Sequence, residues 1–237
     1  MKDFNFGDYP VANINETHML VPIICDISGS MDGKPIQNLN AAVNHFKQVI
    51  CKDPKAADLV DVLVIGFNHQ ANVVQDWVPV SRMEEVNFTA GGGTDISSAL
   101  EKAVEMTRQK TKEYTSIGVD VKVPWFILVS DGKGGDVSAV AEVIRKRTEE
   151  HKMKLFVLAA PGYDEKTIAQ LTGGNRVLEL VDNGSYDFME FFDFAAVSIK
   201  AASTSAPGEK INITSNIGSR EQGSNYKVPD LDKWLND

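Results

Sequence analysis

From Met19 onward the chain alternates short apolar runs with segments of helical periodicity. Met19–Cys25, Val60–Phe67, Val121–Val129 and Leu155–Ala160 are nearly continuous in apolar residues, as expected of parallel strands covered on both faces. Val73–Val80 follows the second run after only a few residues and reads as an added edge strand. Between the runs, Pro35 suits a first helical position, and Ile36, Leu39, Val43, Phe46 and Ile50 then fall on one helix face. Ile96, Ala99, Leu100, Ala103 and Val104 make a second stripe, and Val137, Val140, Ala141 and Ile144 a third. A last stripe, Phe188, Phe191, Phe192, Ala195 and Ile199, follows the short run Arg176–Val181. This alternation predicts an α/β domain over residues 18–203, with a doubly wound, mostly parallel sheet, one antiparallel edge strand and helices on both faces.

Pro22 resists the scheme, because proline donates nothing to a strand ladder. Either regular pairing starts after it, or the strand bulges there. Residues 1–17 form a separate N-terminal segment, and 204–237 a polar tail rich in Ser, Gly, Asn and Thr. The tail ends in YKVPDLDKWLND, whose Val228, Leu231, Trp234 and Leu235 suit docking as a short helix or extended segment over 226–237. A loose end is the alternative.

Composition narrows the function. The formal charge of −9 and the lack of any Lys/Arg-rich run oppose nucleic acid and anionic membrane as partners. The start MKDFNFGDYP carries early acids and no apolar core, unlike a secretory signal, and the longest apolar stretches are too short for a bilayer. Cys25 and Cys51 read as two reduced thiols. The expectation is a soluble protein of the reducing cytoplasm. Oligomeric state is left open.

The candidate chemistry lies where the apolar runs end. Parallel α/β sheets present ligand-binding loops at the carboxyl ends of their strands. Asp26-Ile-Ser28-Gly-Ser30 follows the first run, GGGTDISSAL places Thr94 and Asp95 at a helix start, and Ser130-Asp131-Gly132 follows WFILV. Hydroxyls and carboxylates without His or Cys suit a hard divalent cation, Mg²⁺ first, with Mn²⁺ and Ca²⁺ as alternatives. Ser28, Ser30 and Thr94 can ligate directly, with Asp26 and Asp131 ligating or holding bound waters. Hydroxyl ligands carry no charge, so an ion held mainly by them stays electrophilic and attracts an outside carboxylate.

D-x-S-x-S, a distant Thr in a glycine-rich loop before a helix, and a later [ST]-D-G after an apolar strand resemble the metal-ion-dependent adhesion site (MIDAS) of von Willebrand factor type A (VWA) domains. The resemblance runs from about Met19 to Ile199 in the expected order. DISGSM, GGGTDI and PWFILVSDG look most like the bacterial and phage group related to the tellurite-resistance protein TerY, where Pro-Thr-Asp often follows [ST]-D-G. Here that place reads Lys133-Gly134-Gly135-Asp136. The resemblance implies a Rossmann-like VWA fold and metal ligands at Asp26, Ser28, Ser30, Thr94 and Asp131. It further implies a non-catalytic module that captures a partner's Asp or Glu, in a cytoplasmic stress-response or tellurite-resistance setting, with a last helix that moves when the metal changes ligands.

Two other functions stay in view. A magnesium-dependent phosphatase or phosphotransferase would use Asp26 as nucleophile, although its usual second aspartate is Ser28 here. A self-assembling structural protein would dock 226–237 on a neighbouring copy. Of the remaining polar residues, Asp95 is read as a first-turn carboxylate, Asp32 as a solvated rim charge, and Asp136 as a helix N-cap. Thr94 competes between ligand and N-cap. His18, His45, His69 and His151 lack metal-ligand spacing and are expected at the surface or at helix ends. Phe188, Phe191 and Phe192 are expected in the core, and Trp77 and Trp125 in the sheet.

Overall fold

The computed structural model describes residues 11, 13–174, 177–180, 184, 186–206, 209, 211 and 226–227. The strands are β1 (Met19–Asp26), β2 (Val60–Phe67), β3 (Ala71–Pro79), β4 (Trp125–Ser130), β5 (Lys154–Ala159), β6 (Val177–Leu180) and β7 (Tyr226–Lys227). The helices are α1 (Lys34–Ile50), α2 (Pro54–Leu59), α3 (Ile96–Ser116), α4 (Ser138–Glu149), α5 (Glu165–Thr172) and α6 (Met189–Thr204). The sheet order is β3-β2-β1-β4-β5-β6-β7. All pairings from β2 to β6 are parallel, β3 runs antiparallel to β2 at one margin, and the two-residue β7 runs antiparallel to β6 at the other.

Every residue of β1 is buried, because its successive side chains enter different cores. Met19, Val21, Ile23 and Cys25 join the layer under α1 and α6, while Ile24 joins the layer under α3, α4 and α5. Across the first layer Phe46 meets Phe192 edge-on, their ring centroids 6.2 Å apart. Phe188, Phe191 and Phe192 are all buried there, as their spacing predicts. Pro22 pairs in unbroken register with Leu63 of β2, and the β4 ladder begins one residue later at Ile23. There is no bulge at Pro22, and pairing starts after it on the β4 side alone.

The sequence reading and the structure differ at several places, the second antiparallel margin at β7 among them. The run Val121–Val129 becomes strand only at Trp125, because Pro124 interrupts it; Val121 makes an isolated bridge to His18. The short helices α2 and α5 were not anticipated; each is capped by an aspartate, Asp53 or Asp164, whose carboxylate accepts two backbone N–H groups. His18 is fully buried rather than at the surface. Its Nδ1 lies 2.8 Å from Asp61 Oδ2, and Tyr114 Oη–H donates to the same oxygen at 2.9 Å. That triad sits where β1 and β2 begin, at the opposite pole from the oxygen-rich loops. Of the anticipated docking segment, Tyr226–Lys227 form β7, while Val228, Leu231, Trp234 and Leu235 lie outside the described residues. Among the described residues no helix is long and apolar enough to cross a membrane.

Candidate metal site

The strand order reverses between β1 and β4, since β1 leads to α1 on one face of the sheet and β4 to α4 on the other. Chain leaving the two strands diverges there, and the crevice beyond their carboxyl ends is where open α/β sheets hold ligands. Asp26 ends β1 and Ser130 ends β4. The two oxygen-rich loops are therefore neighbours although about a hundred residues separate them.

Asp26 is wholly buried. Its Oδ1 accepts the Ser28 N–H at 2.9 Å and its Oδ2 accepts the Ser130 hydroxyl at 3.0 Å. Ser130 Oγ in turn accepts the Gly132 N–H at 3.0 Å. This chain ties the first loop to the third and leaves Asp26 as their shared anchor. Burial pushes the Asp26 carboxyl above its ordinary range, against the pull of the hydrogen bonds from Ser28 and Ser130, and the charge of Asp131 adds to the rise. Outward from it, Ser28 Oγ and Ser30 Oγ are 3.0 Å apart, and Ser30 Oγ lies 3.5 Å from Asp131 Oδ2. Exposure grows along this row, from buried Asp26 and Ser28 to solvent-facing Ser30.

Thr94 reaches the site through its neighbours. The glycine loop before it is stitched to the first loop by Gly29 N–H to Gly92 O at 3.0 Å and Gly91 N–H to Ile27 O at 2.8 Å. Thr94 itself packs against Gly134, where an added Cβ would come within 2.7 Å of the Thr94 carbonyl and 2.8 Å of its Cβ. Only glycine fits that contact, which sets Thr94 against the loop that carries Asp131. Gly132 is constrained twice: its φ is +71°, and an added Cβ would stand 3.0 Å from Ile168 and 3.2 Å from the Asp164 carbonyl.

Five side chains that the sequence reading did not assign to the site support it. Ser130 bridges Asp26 to the third loop, as described. The Asn68 side chain donates to Gly91 O at 2.9 Å, and the Asn68 backbone carbonyl accepts the Asp95 N–H at 2.6 Å. On α1, Asn40 accepts the Phe88 N–H at 2.7 Å and donates to Phe88 O at 3.0 Å, and Asn44 makes the same pair with Val86 at 2.8 Å each. The extended segment that leads into the glycine loop is thus held along α1 as if by a neighbouring strand. The i, i+4 spacing of Asn40 and Asn44 places them on one helix face, which is the only trace of this clamp in the sequence. Lys133 Nζ stands 3.9 Å from Asp131 Oδ2 and adds a positive charge at the rim.

The remaining assignments resolve as follows. Asp95, expected in the first turn of α3, is its N-cap, accepting the Ser98 N–H at 3.0 Å, so Thr94 does not cap that helix. Asp136 lies one residue before Val137, which holds the N-cap position of α4, and accepts the Ser138 N–H at 2.9 Å. Asp32 is exposed at the rim. His69 is exposed on the same rim, its Nδ1 2.7 Å from where a Cβ on Gly92 would stand. His45 Nε2 bridges to Asp193 of α6 at 3.2 Å, and exposed His151 follows α4. The Cys25 and Cys51 thiols are both free; burial raises the pKa of each.

The donors fit a hard cation. Among the described residues no three His, Cys, Asp or Glu side chains gather as a metal cluster; an ion here would rest on hydroxyls together with the carboxylates of Asp26 and Asp131. Neutral hydroxyl donors around a small cation match Mg²⁺ better than the carboxylate-rich shells that Ca²⁺ takes. Two carboxylates in one crevice, one of them with its charge penalised by burial, also favour a cation electrostatically.

Comparison of the sequence finds no matching protein family and no matching curated protein. Similar solved structures are numerous. The vWF domain of the type V pili tip protein Mfa5 from Porphyromonas gingivalis superposes with a TM-score of 0.57 at 11% identity, covering 81% of this chain and 98% of that one. The pilus adhesin SpaC from Lactobacillus rhamnosus GG gives 0.61 at 14% identity over 79% of this chain and 30% of SpaC. Proximal thread matrix protein 1 from the mussel byssus gives 0.54 at 16% identity, over 79% of this chain and 47% of that protein. A further structure of the mussel protein, with a TM-score of 0.52, has a zinc-occupied MIDAS motif. The chain thus spans less than half the length of SpaC and of the mussel protein. At such identities these likenesses show the fold alone, and it is the Rossmann-like fold of vWF type A domains.

Proposed function

We propose that the chain is a non-catalytic, metal-dependent protein-interaction module in which Ser28, Ser30 and Thr94 ligate Mg²⁺ while Asp26 and Asp131 ligate it or hold its waters. A bound cation supplies an electrophilic position that a partner's Asp or Glu side chain completes. The chain's own residues do the rest: Asp26 and Ser130 lock the first and third loops together, and Gly134 seats Thr94 between them. The observation that carries this proposal is the convergence of Ser28, Ser30 and Asp131 oxygens beyond the sheet's reversal point, above a buried carboxylate. The zinc-occupied MIDAS of the mussel protein supports divalent binding on this fold.

A phosphotransfer role for Asp26 has less support. Its carboxylate is buried, with one oxygen on a backbone N–H and the other on Ser130, a poor disposition for in-line attack. The motifs DISGSM, GGGTDI and PWFILVSDG support placement with TerY-like proteins, and with it a cytoplasmic stress-response or tellurite-resistance setting.

Calorimetric titration with Mn²⁺ and Mg²⁺ tests the site directly. One ion per chain is expected, with affinity reduced at least tenfold in Thr94→Val and abolished in Ser28→Ala/Ser30→Ala. Affinity capture from host lysate then tests the interaction, with the partner retained in Mg²⁺ and released by EDTA. A partner held equally in both buffers overturns the proposal.

A further inference from the structure

At the pole opposite the metal loops the structure has an open pocket of ≈ 850 Å³. It lies beneath the starting ends of β1, β4 and β5 and beside the final turn of α6, with Val121, Val123 and Trp125 among its apolar lining. Lys122 and Lys154 stand at its edge, the latter with Nζ 5.7 Å from the Trp125 ring centroid. Lys122 donates to the carbonyls of Ala202 at 2.6 Å and Ser205 at 2.7 Å, fixing the end of α6 as one wall. Glu209 and Ile211, from the chain beyond α6, also line it.

We propose that this pocket is the docking site for the chain's own C-terminal segment, residues 228–237, bound within the same molecule. The first support is direction. β7 pairs Tyr226 with Leu180 and Lys227 with Glu179, antiparallel to β6. β7 therefore points toward the starting ends of the parallel strands, where the pocket lies. The second is reach. β4 is three strand spacings from β7, about 15 Å, while residues 228–237 extended span about 30 Å.

The third is the weakness of β7 alone. Among the described residues the β7 ladder is Tyr226 and Lys227 alone, and a pairing of that length is not independently stable. Apolar burial beyond it supplies what the ladder lacks, and the segment carries Leu231, Trp234 and Leu235 for the purpose. The fourth is chemistry. Leu231, Trp234 and Leu235 match the apolar lining of Val121, Val123 and Trp125, while the charges around the pocket are mixed, Lys55, Lys122 and Lys154 facing Glu16, Asp120 and Glu209.

The test is amide hydrogen exchange on the full-length chain and on Leu231→Ala/Trp234→Ala, with mass in solution measured alongside. The expected result is at least tenfold faster exchange over 119–124 and 202–206 in the variant, unchanged exchange in the β1 and β4 core, and a single-chain mass for both proteins. Mg²⁺ affinity is expected to be unchanged, so this result stands or falls apart from the metal site. Unchanged exchange at the pocket overturns the proposal. So does loss of protection on Phe4→Ala/Phe6→Ala instead, which would give the pocket to the N-terminal segment. A two-chain mass lost with Leu231 and Trp234 also overturns it, placing the segment on a second copy.

Discussion

At the scale of single residues, Asp26 is the position where folding and the proposed metal binding oppose each other. Its folded-state pKa is raised, chiefly by burial, so its protonated form favours the fold at pH below the ordinary aspartate value. That contribution is lost as pH rises through the raised value, and near neutrality without metal the ionised group is a net cost. Asn keeps an acceptor for the Ser28 N–H without the charge. Asp26→Asn is therefore expected to unfold at a higher temperature than the native chain in EDTA at pH 7. The gap should shrink as the pH falls toward about 4, and Mg²⁺ should stabilise only the native chain. Thermal melts of both proteins, with and without metal, decide it; a lower melting temperature for the variant in EDTA would refute the assignment of cost. His18 teaches a different lesson at this scale. Nothing beside it in sequence marks it as buried, because its partners Asp61 and Tyr114 lie on other elements.

Among the elements, those with long apolar patterns were legible. β1, β2 and the helices α1, α3, α4 and α6 fall where the apolar periods place them, because each buries a face against the sheet. The elements that escaped are short: α2 and α5 make only one or two turns, too few for a 3.6-residue period to show. The D-x-S-x-S and S-D-G loops were legible as oxygen donors because they follow recognisable strands. The Asn40 and Asn44 clamp was not, since an asparagine's bonds to backbone on another segment leave no local pattern. Asn44→Ala removes both bonds to Val86, a buried residue. The expected loss is about 2–3 kcal/mol of stability, read from urea unfolding. A weaker Mg²⁺ affinity should accompany it, because the clamped segment leads into the Thr94 loop. A loss of stability with affinity unchanged would confine Asn44 to a packing role.

For the whole molecule, the two poles of the sheet do different work. The carboxyl ends of the strands gather hydroxyls and carboxylates at the proposed cation position, and the starting ends carry the His18–Asp61–Tyr114 network and the pocket beside α6. If the ion binds only the folded chain, saturation at a hundred times its dissociation constant adds about 2.7 kcal/mol. For a chain of this size that corresponds to a rise in melting temperature of roughly 5–10 °C. Differential scanning calorimetry across a Mg²⁺ series measures it, and a melting temperature independent of Mg²⁺ would contradict folded-state binding.

The place of β4 beside β1 also governs when the proposed cation position can first form. Ser30 and Asp131 are 101 positions apart, and Ile23 must find Ile127 before their loops can meet. Pairings so remote in sequence are slow to form. A chain emerging from the ribosome therefore has no complete cation position until β4 has left the tunnel and settled against the first strand. Until then, a cation bound as proposed could not assist its early folding.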